Sequence, residues 1–332
     1  MTKIIKANEL NDAAECIKNG GTVVFPTETV YGLGADAYNE IAIDKIYKAK
    51  GRPGDNPLIV HIADKEDIYK LSSEVTKNAV ILMDAFWPGA LTIILKKDNS
   101  VPYRVTGGLD TVAVRNPSNP VANALIKESG KFIAAPSANL SGSPSPTTAK
   151  HVIDDLDGRV DYIICDDMSE IGLESTVIDL SSDIPTILRP GAITIEMIRE
   201  YLPDVTLDAA LSDKSQKPKS PGMKYKHYSP KATVEVVTGS KEKMDEYISK
   251  KLESMKNCGV MTYMGGDFDN AKCILSSGHS MEEYASKLFY NLRVFDEYGV
   301  SHIFAEFIDE GGIGTAVKNR LYKAAGNNIT KV

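Results

Sequence analysis

Lys50-Gly51-Arg52 and Ser137-Ala138-Asn139 are the segments of this sequence best suited to holding a polyphosphate. Arginine offers paired hydrogen bonds to phosphate oxygens, and lysine adds a mobile point charge. Asn56-Pro57-Leu58-Ile59-Val60-His61 follows at once. Lys50, Arg52, Asn56 and His61 thus gather around one loop and one strand, as donors that suit phosphate or carboxylate oxygens. In Ala135-Pro136-Ser137-Ala138-Asn139-Leu140-Ser141-Gly142 the small side chains let backbone approach a ligand, and Ser137 and Asn139 add hydrogen-bond partners. Pro26-Thr27-Glu28-Thr29-Val30-Tyr31-Gly32-Leu33-Gly34 reads as a hydroxyl-rich loop closed by two glycines, bringing N–H groups and threonine hydroxyls to a ligand. Arg115, at a strand end before Asn116-Pro117, suits a substrate carboxylate. Glu174-Ser175-Thr176 and Arg189-Pro190-Gly191 repeat the pattern of polar residues flanking a strand.

Taken singly, each segment also has a plainer explanation. Cations followed by Gly and Pro close any helix, Ser/Asn/Gly runs make turns, and an arginine at a strand end is usually solvated. Missing motifs narrow the chemistry further. Without GxxxxGK[ST] the phosphates are not held by a P-loop, and Gly32-Leu33-Gly34 and Gly311-Gly312-Ile313-Gly314 lack the third glycine of a dinucleotide fingerprint. HExxH, GxSxG and paired-cysteine metal motifs are absent too. His151, His279 and His302 have no spaced partners and read as structural or surface residues, Trp87 as core, and the cysteines as small buried hydrophobes.

The elements that must position these residues follow from patterning. Apolar runs rich in β-branched residues recur at 22–25, 58–62, 91–95, 112–114, 132–135, 162–165 and 176–180, and are expected to be strands. Helical spacing appears through Ile43, Ile46 and Tyr47, and again from Val80 up to Pro88. Asn119-Pro120 reads as a capped helix start with proline at its first position. Because helices do not separate the strands throughout, a twisted mixed sheet is expected over 1–206. A polar, punctuated linker spans 207–231 and ends in Met223-Lys224-Tyr225-Lys226-His227-Tyr228, a segment suited to docking as a lid over the first domain's pocket. Strands at 234–237, 259–263 and 303–308 alternate with helices at 241–255, 281–298 and 314–325, which predicts a smaller Rossmann-like α/β domain over 232–332.

Composition sets the outer bounds. With 42% hydrophobic and 25% charged residues, a chain of 332 residues can bury a core in each of two domains. A net charge of −7 argues against holding nucleic acid mainly by bulk electrostatics. The four cysteines, Cys16, Cys165, Cys258 and Cys273, are scattered as reduced thiols of a cytoplasm would be. The N-terminus has no apolar leader and no run approaches membrane-spanning length, so a cytoplasmic protein without membrane contact is expected.

In order along the chain, these segments resemble the threonylcarbamoyl-adenylate synthases, in the two-domain Sua5 type of the YrdC/TsaC/Sua5 family. Glu174-Ser175-Thr176-Val177-Ile178-Asp179, Leu188-Arg189-Pro190-Gly191, Ser220-Pro221-Gly222-Met223-Lys224-Tyr225-Lys226-His227-Tyr228-Ser229-Pro230 and Asn319-Arg320-Leu321 extend the likeness over nearly the whole chain. Lys226 and Ser229 depart from the arginine and alanine usual there. The resemblance implies a YrdC-like first domain and an adenylyltransferase that joins L-threonine, bicarbonate and ATP into threonylcarbamoyl-AMP and pyrophosphate. The product would serve threonylcarbamoyl modification of the tRNA adenosine beside the anticodon, through a downstream tRNA threonylcarbamoyl transferase complex. It further implies Mg2+ arriving with ATP, no tightly bound cofactor, and a weak tRNA contact. Lys50 and Arg52 would then be catalytic, while Thr29, His61, Arg115 and Ser175 would take the threonine or its carbamate. Arg52, Asn56, Thr111, Ser137, Asn139, Ser145, Arg189 and Tyr225 would hold ATP. Two readings compete: an RNA-binding module, which the acidic net charge disfavours, and a carbamoyl transferase of hydrogenase-maturation type, which would carry CxxC zinc pairs and an acylphosphatase-like segment that this sequence lacks.

Overall fold

Runs of β-branched residues make strands here as the sequence reading expects, but they assemble with several strands that no apolar run announces. The structure is a computed structural model describing residues 1–209 and 228–332. Its contacts divide the chain into two units. One takes Met1–Ser141, Pro146–Glu170 and the described residues from 174 to 209; the other takes Gly142–Ser145, Ile171–Leu173 and 228–332.

In the first unit the order is β1 (Lys3–Lys6), α1 (Leu10–Lys18), β2 (Val23–Phe25), β3 (Gly32–Asp36), α2 (Glu40–Lys50) and β4 (Ile59–His61). Then come a 3-10 turn (Lys65–Lys70), α3 (Lys77–Phe86), β5 (Leu91–Lys96), α4 (Tyr103–Thr106), β6 (Thr111–Arg115), α5 (Pro120–Ser129) and β7 (Ile133–Ala135). The unit closes with α6 (Ala149–Leu156), β8 (Tyr162–Cys165), β9 (Thr176–Asp179), β10 (Thr186–Arg189), α7 (Ile195–Arg199) and β11 (Thr206–Leu207). Helix starts are set by local caps. Asn39 accepts from the Ala42 N–H, Thr76 from Ala79 and Thr148 from His151. Asn119 accepts from Val121 and Ala122, with Pro120 first in the helix as expected.

Among the described residues the first sheet has eleven strands in the order β1-β8-β2-β3-β7-β4-β6-β5-β9-β10-β11. It is mixed: β4 and β6 run parallel, as do β5 and β9, whereas β7–β4, β5–β6 and β2–β3 are antiparallel. The glycine-closed segment expected as a loop contains β3, which pairs with both β2 and β7. Gly34 belongs in that strand because a Cβ there would stand 2.4 Å from the Ile133 side chain and 2.7 Å from the Phe25 ring.

Alternation along the strands divides the core between the two sheet faces. Val24, Leu33, Val60, Ile93, Val114 and Ile178 point to the face covered by α2 and α3, where Trp87 is also buried. On the opposite face, Val23, Phe25, Ile133 and Ala135 pack against Ala13 and Ile17 of α1 and Val121 and Leu125 of α5. The rest of that face carries an apolar patch of Ile59, Ala113, Ile94, Val177 and Leu188, none of them from a helix. Helices therefore cover half of this face and leave a floor on the other half.

The second unit holds β12 (Thr233–Thr238), α8 (Lys241–Ser254), β13 (Cys258–Thr262), β14 (Cys273–Ser276), α9 (Met281–Tyr298), β15 (His302–Phe307), α10 (Gly314–Ala324) and β16 (Ile329–Lys331). Its five described strands are all parallel in the order β14-β13-β15-β12-β16. Met244, Ile248 and Leu252 of α8 pack with Val237, Val260 and Phe304 on one face. Tyr284 of α9 and Tyr322 of α10 meet Phe307 edge-on from the other. This is the doubly covered parallel sheet expected of a Rossmann-like domain. Arg293 donates from Nε and Nη2 to the Pro144 carbonyl at 3.1 and 2.6 Å, which ties Gly142–Ser145 into this unit.

Most of the expected linker and lid, including Tyr225, lies outside the described residues. Of its described ends, Leu207 belongs to β11, and Tyr228 is buried with its ring 5.1 Å from that of Phe289. Of the cysteines expected to be buried, only Cys258 is fully so; Cys16, Cys165 and Cys273 are half-buried. Among the described residues no helix is long and apolar enough to cross a membrane.

Candidate active site

The ladder registers set the polar residues of the half-face beyond α1 and α5 in a line. His61 at the end of β4 stands opposite Arg115 on β6, Arg115 opposite Thr92 on β5, Thr92 opposite Val177 on β9, and Val177 opposite Arg189 on β10. His61, Arg115, Thr92 and Val177 share one face because successive residues of a strand alternate, and a register shift between Ile187 and Arg189 brings Arg189 to the same line. Two residues along from His61, Arg115 and Thr92 lies the apolar row of Ile59, Ala113 and Ile94. The site thus has an apolar floor and a polar rim, and its polar groups are fixed to strands.

Arg115 is 4% exposed, and its guanidinium is held from three sides. Nε donates to the Gly89 carbonyl at 3.2 Å, Nη1 to Thr29 Oγ1 at 2.8 Å, and Nη2 lies 2.6 Å from Glu28 Oε1. Burial alone would raise the Glu28 pKa, but the Arg115 charge beside it holds the carboxyl below its usual range. The pair is therefore charged, and removing one partner would strand a buried ion. His61 is pushed the other way, down to about 3, by burial first and then by the Arg115 charge. It is a neutral imidazole at physiological pH, with Nδ1 3.2 Å from the Ile59 carbonyl. A carbonyl only accepts, so that contact favours the tautomer with its proton on Nδ1.

At the β9 and β10 side, Ser175 Oγ meets Thr92 Oγ1 at 2.7 Å. Arg189 donates to the Ser175 carbonyl at 3.0 Å and to its hydroxyl at 3.1 Å. Gly191 lets this corner close: a Cβ there would stand 2.4 Å from the Thr176 nitrogen and 2.8 Å from the Ser175 carbonyl carbon. These are backbone atoms that cannot turn aside.

Lys50 ends α2, and Gly51 follows as a left-handed cap with φ 62°. The helix-end explanation is therefore correct locally, yet the lysine does not point into solvent. It is 3% exposed, and Nζ donates to the carbonyls of Ser137 and, at 2.6 Å, Asn139. Ser137 Oγ donates to Asn139 Oδ1 at 2.5 Å, and the Ser141 N–H to the Lys50 carbonyl at 2.9 Å. Lys50-Gly51-Arg52 and Ser137-Ala138-Asn139 are thus one constellation, stitched together by a lysine expected to be mobile. Arg52 Nη2 lies 3.2 Å from the Pro57 carbonyl, and Asn56 is buried with its carbonyl accepting from Tyr47 Oη at 3.2 Å.

The remaining expected residues fall in different places. Thr111 begins β6, at the opposite end of the strand from Arg115, roughly 13 Å away for four residues of rise. Extending the Ile59–Ala113 pairing sets it level with Pro57, and extending the Ala135–Ile59 pairing sets Ser137 there too. Ser145 is fully buried, on the stretch that groups with the second unit. Tyr225 lies outside the described residues. Two members of the arrangement had no assigned role in the sequence reading. Glu28 sat unremarked inside the threonine-rich segment, where only its adjacency to Thr29 hinted at it. Thr92 sat in an otherwise apolar run, where a lone hydroxyl at an inward position was the available signal.

Comparison with known proteins gives the family of the chain. The Sua5_yciO_yrdC family, described as "Telomere recombination", matches residues 15–191, and the family described as "Threonylcarbamoyl-AMP synthase, C-terminal domain" matches 193–326. The chain is similar to the threonylcarbamoyl-AMP synthase of Bacillus subtilis, at 48% identity over 97% of this chain and 94% of the relative. It is similar to that of Pyrococcus abyssi at 47% identity, covering all of both chains. The crystal structure of Pyrococcus abyssi Sua5 complexed with L-threonine superposes with a TM-score of 0.94 at 45% identity, over 100% of this chain and 99% of the other. Such full-length agreement in both sequence and fold leaves no room for the RNA-binding or hydrogenase-maturation readings as the chain's primary identity. From its strand-borne polar row to its parallel second sheet, the chain belongs to the threonylcarbamoyl-AMP synthase family, in the two-domain form.

Proposed function

We propose that this chain condenses L-threonine, bicarbonate and ATP into threonylcarbamoyl-AMP, pyrophosphate and water, using the half-face of the first sheet beyond α1 and α5. The observation that carries the reading is the row of Arg115, His61, Thr92 and Arg189 across adjacent strands, above an apolar floor. Level with the far end of those strands stands the Lys50–Ser137–Asn139 constellation. In this reading Arg115 receives the threonine carboxylate, with Thr29, His61 and Ser175 around the amine and side chain. A related chain solved with L-threonine supports the choice of amino acid. ATP is held at the Lys50 end by Arg52, Asn56, Thr111, Ser137 and Asn139, with Arg189 as a further contact.

The threonine amine captures CO2 as a carbamate, a carbamate oxygen attacks the α-phosphate, and pyrophosphate leaves. No protein nucleophile is needed, which fits a site built of hydroxyls and cations. The protein aligns the two reactants and offsets the charge that gathers on the phosphates. Mg2+ enters as part of the nucleotide substrate. His61, neutral and buried, stands in the row without adding charge. The product is a mixed anhydride that must pass to a transferase acting on tRNA, and the chain is read as working in the cytoplasm, with at most a weak tRNA contact of its own.

Pyrophosphate release from ATP, with threonine and bicarbonate each left out in turn, tests the reading. Release is expected only when both are present. Release that ignores threonine would refute it.

A further inference from the structure

Glu28 is a buried carboxylate whose acceptor capacity the fold fills only in part. The residue is 7% exposed, and besides Arg115 its oxygens meet only the backbone N–H groups of Glu28 itself and Ser118, neither in good hydrogen-bond geometry. Asn116, next to Arg115 and 4% exposed, likewise has an Oδ1 without a donor. An ionised carboxylate offers about four acceptor positions. Meeting them only in part in a dry pocket is costly unless a ligand supplies further donors. Arg115, for its part, commits one N–H each to Gly89, Thr29 and Glu28, so the fork keeps N–H groups for an incoming anion.

A guanidinium with spare donors beside a carboxylate with spare acceptors is the complement of a zwitterion. An arginine alone would take any small carboxylate. The added negative charge of Glu28 disfavours a bare carboxylate and favours one that carries its own cation. We propose that Glu28 receives the ammonium of the amino-acid substrate while Arg115 receives its carboxylate, so that the pair selects an α-amino acid over the corresponding acid without the amine. This rests on the substrate reading above and adds a specificity-determining residue to it. A plainer role is available to Glu28, that of an anchor for Arg115, and the two roles predict opposite ligand dependence.

Calorimetric titration of the full chain without ATP, using L-threonine and 3-hydroxybutanoate (threonine without its amine), separates them. The unaltered chain should bind threonine more tightly than 3-hydroxybutanoate by about tenfold or more, the size of one charge-assisted hydrogen bond. In Glu28→Gln, threonine binding should weaken by about ten- to a hundredfold, while 3-hydroxybutanoate binding should hold or tighten. Equal weakening of both ligands would make Glu28 an anchor only and overturn the proposal, as would no change in either. If Glu28→Gln fails to fold, Glu28→Asp takes its place: weakened threonine binding with 3-hydroxybutanoate binding held supports the proposal, and equal weakening of both ligands, or equal affinity of the unaltered chain for the two, overturns it. Absence of threonine binding to the unaltered chain would defeat the substrate reading itself, and the inference with it.

Discussion

Lys50 looks from its type like a free cation waiting for phosphate, and its surroundings make it something else. Its ammonium bridges the carbonyls of Ser137 and Asn139, so it holds two segments in place before any ligand arrives. From residue type alone, its loss should lower turnover far more than stability. The contacts change that expectation. In Lys50→Met two buried carbonyls lose their donor, at about 1–3 kcal/mol each before relaxation. The variant should show a lower urea midpoint as well as loss of pyrophosphate release, and an unchanged midpoint would mean the carbonyls find another donor. Arg115 and His61 are coupled in the same way. The charge that suits Arg115 to its proposed part in holding a carboxylate also helps keep His61 neutral, so neither chemistry can be read from one residue.

At the scale of elements, the strands do the positioning. His61, Arg115, Thr92 and Arg189 come from four strands, and only the ladder registers bring them to one line. A slip of one residue in any strand would turn its contribution to the helix-covered face. The turn after β10 matters for the same reason, because Gly191 presses against the backbone of Ser175 and Thr176. Gly191→Ala forces that contact apart and should cost about 1–3 kcal/mol of stability, a typical overpacking penalty. Because the displaced backbone carries Ser175, threonine affinity should fall as well. Denaturant melts and threonine titration of the same variant check both parts, and a fully stable variant with normal affinity would show that the corner can yield.

Across the whole molecule, two units with separate cores share one chain, and the proposed chemistry concentrates in the first. A ligand lowers the free energy of the state it binds, and local opening is suppressed where it binds. Hydrogen exchange measured with and without threonine should therefore show slower exchange in β4 and β6. Exchange in β12 and β15 of the second sheet should stay unchanged. Slowing confined to the second sheet would move the amino-acid site out of the first unit.

Much of this molecule was legible before its fold was known. The strands of β-branched residues at β2, β4, β5, β6, β8 and β9, the Asn119-Pro120 helix start and the mixed character of the first sheet all follow from local preference, which acts over a few residues and is written in them. The family followed from the order of its motifs. By contrast β1, β3, β14 and β16 were missed. β1, β14 and β16 are largely exposed and β3 is broken by two glycines, so no apolar run marks them, and what makes them strands is a neighbouring ladder. The site divided along the same line. Residue types marked Lys50, Arg52, Ser137, Asn139 and Arg115 as able to bind anions. Only the tertiary structure decided that Lys50 is tethered, that Glu28 faces Arg115, that Thr92 joins Ser175, and that His61 is uncharged. Each of those is set by burial and by partners 54 to 89 residues away, where electrostatics and hydrogen bonding act through space.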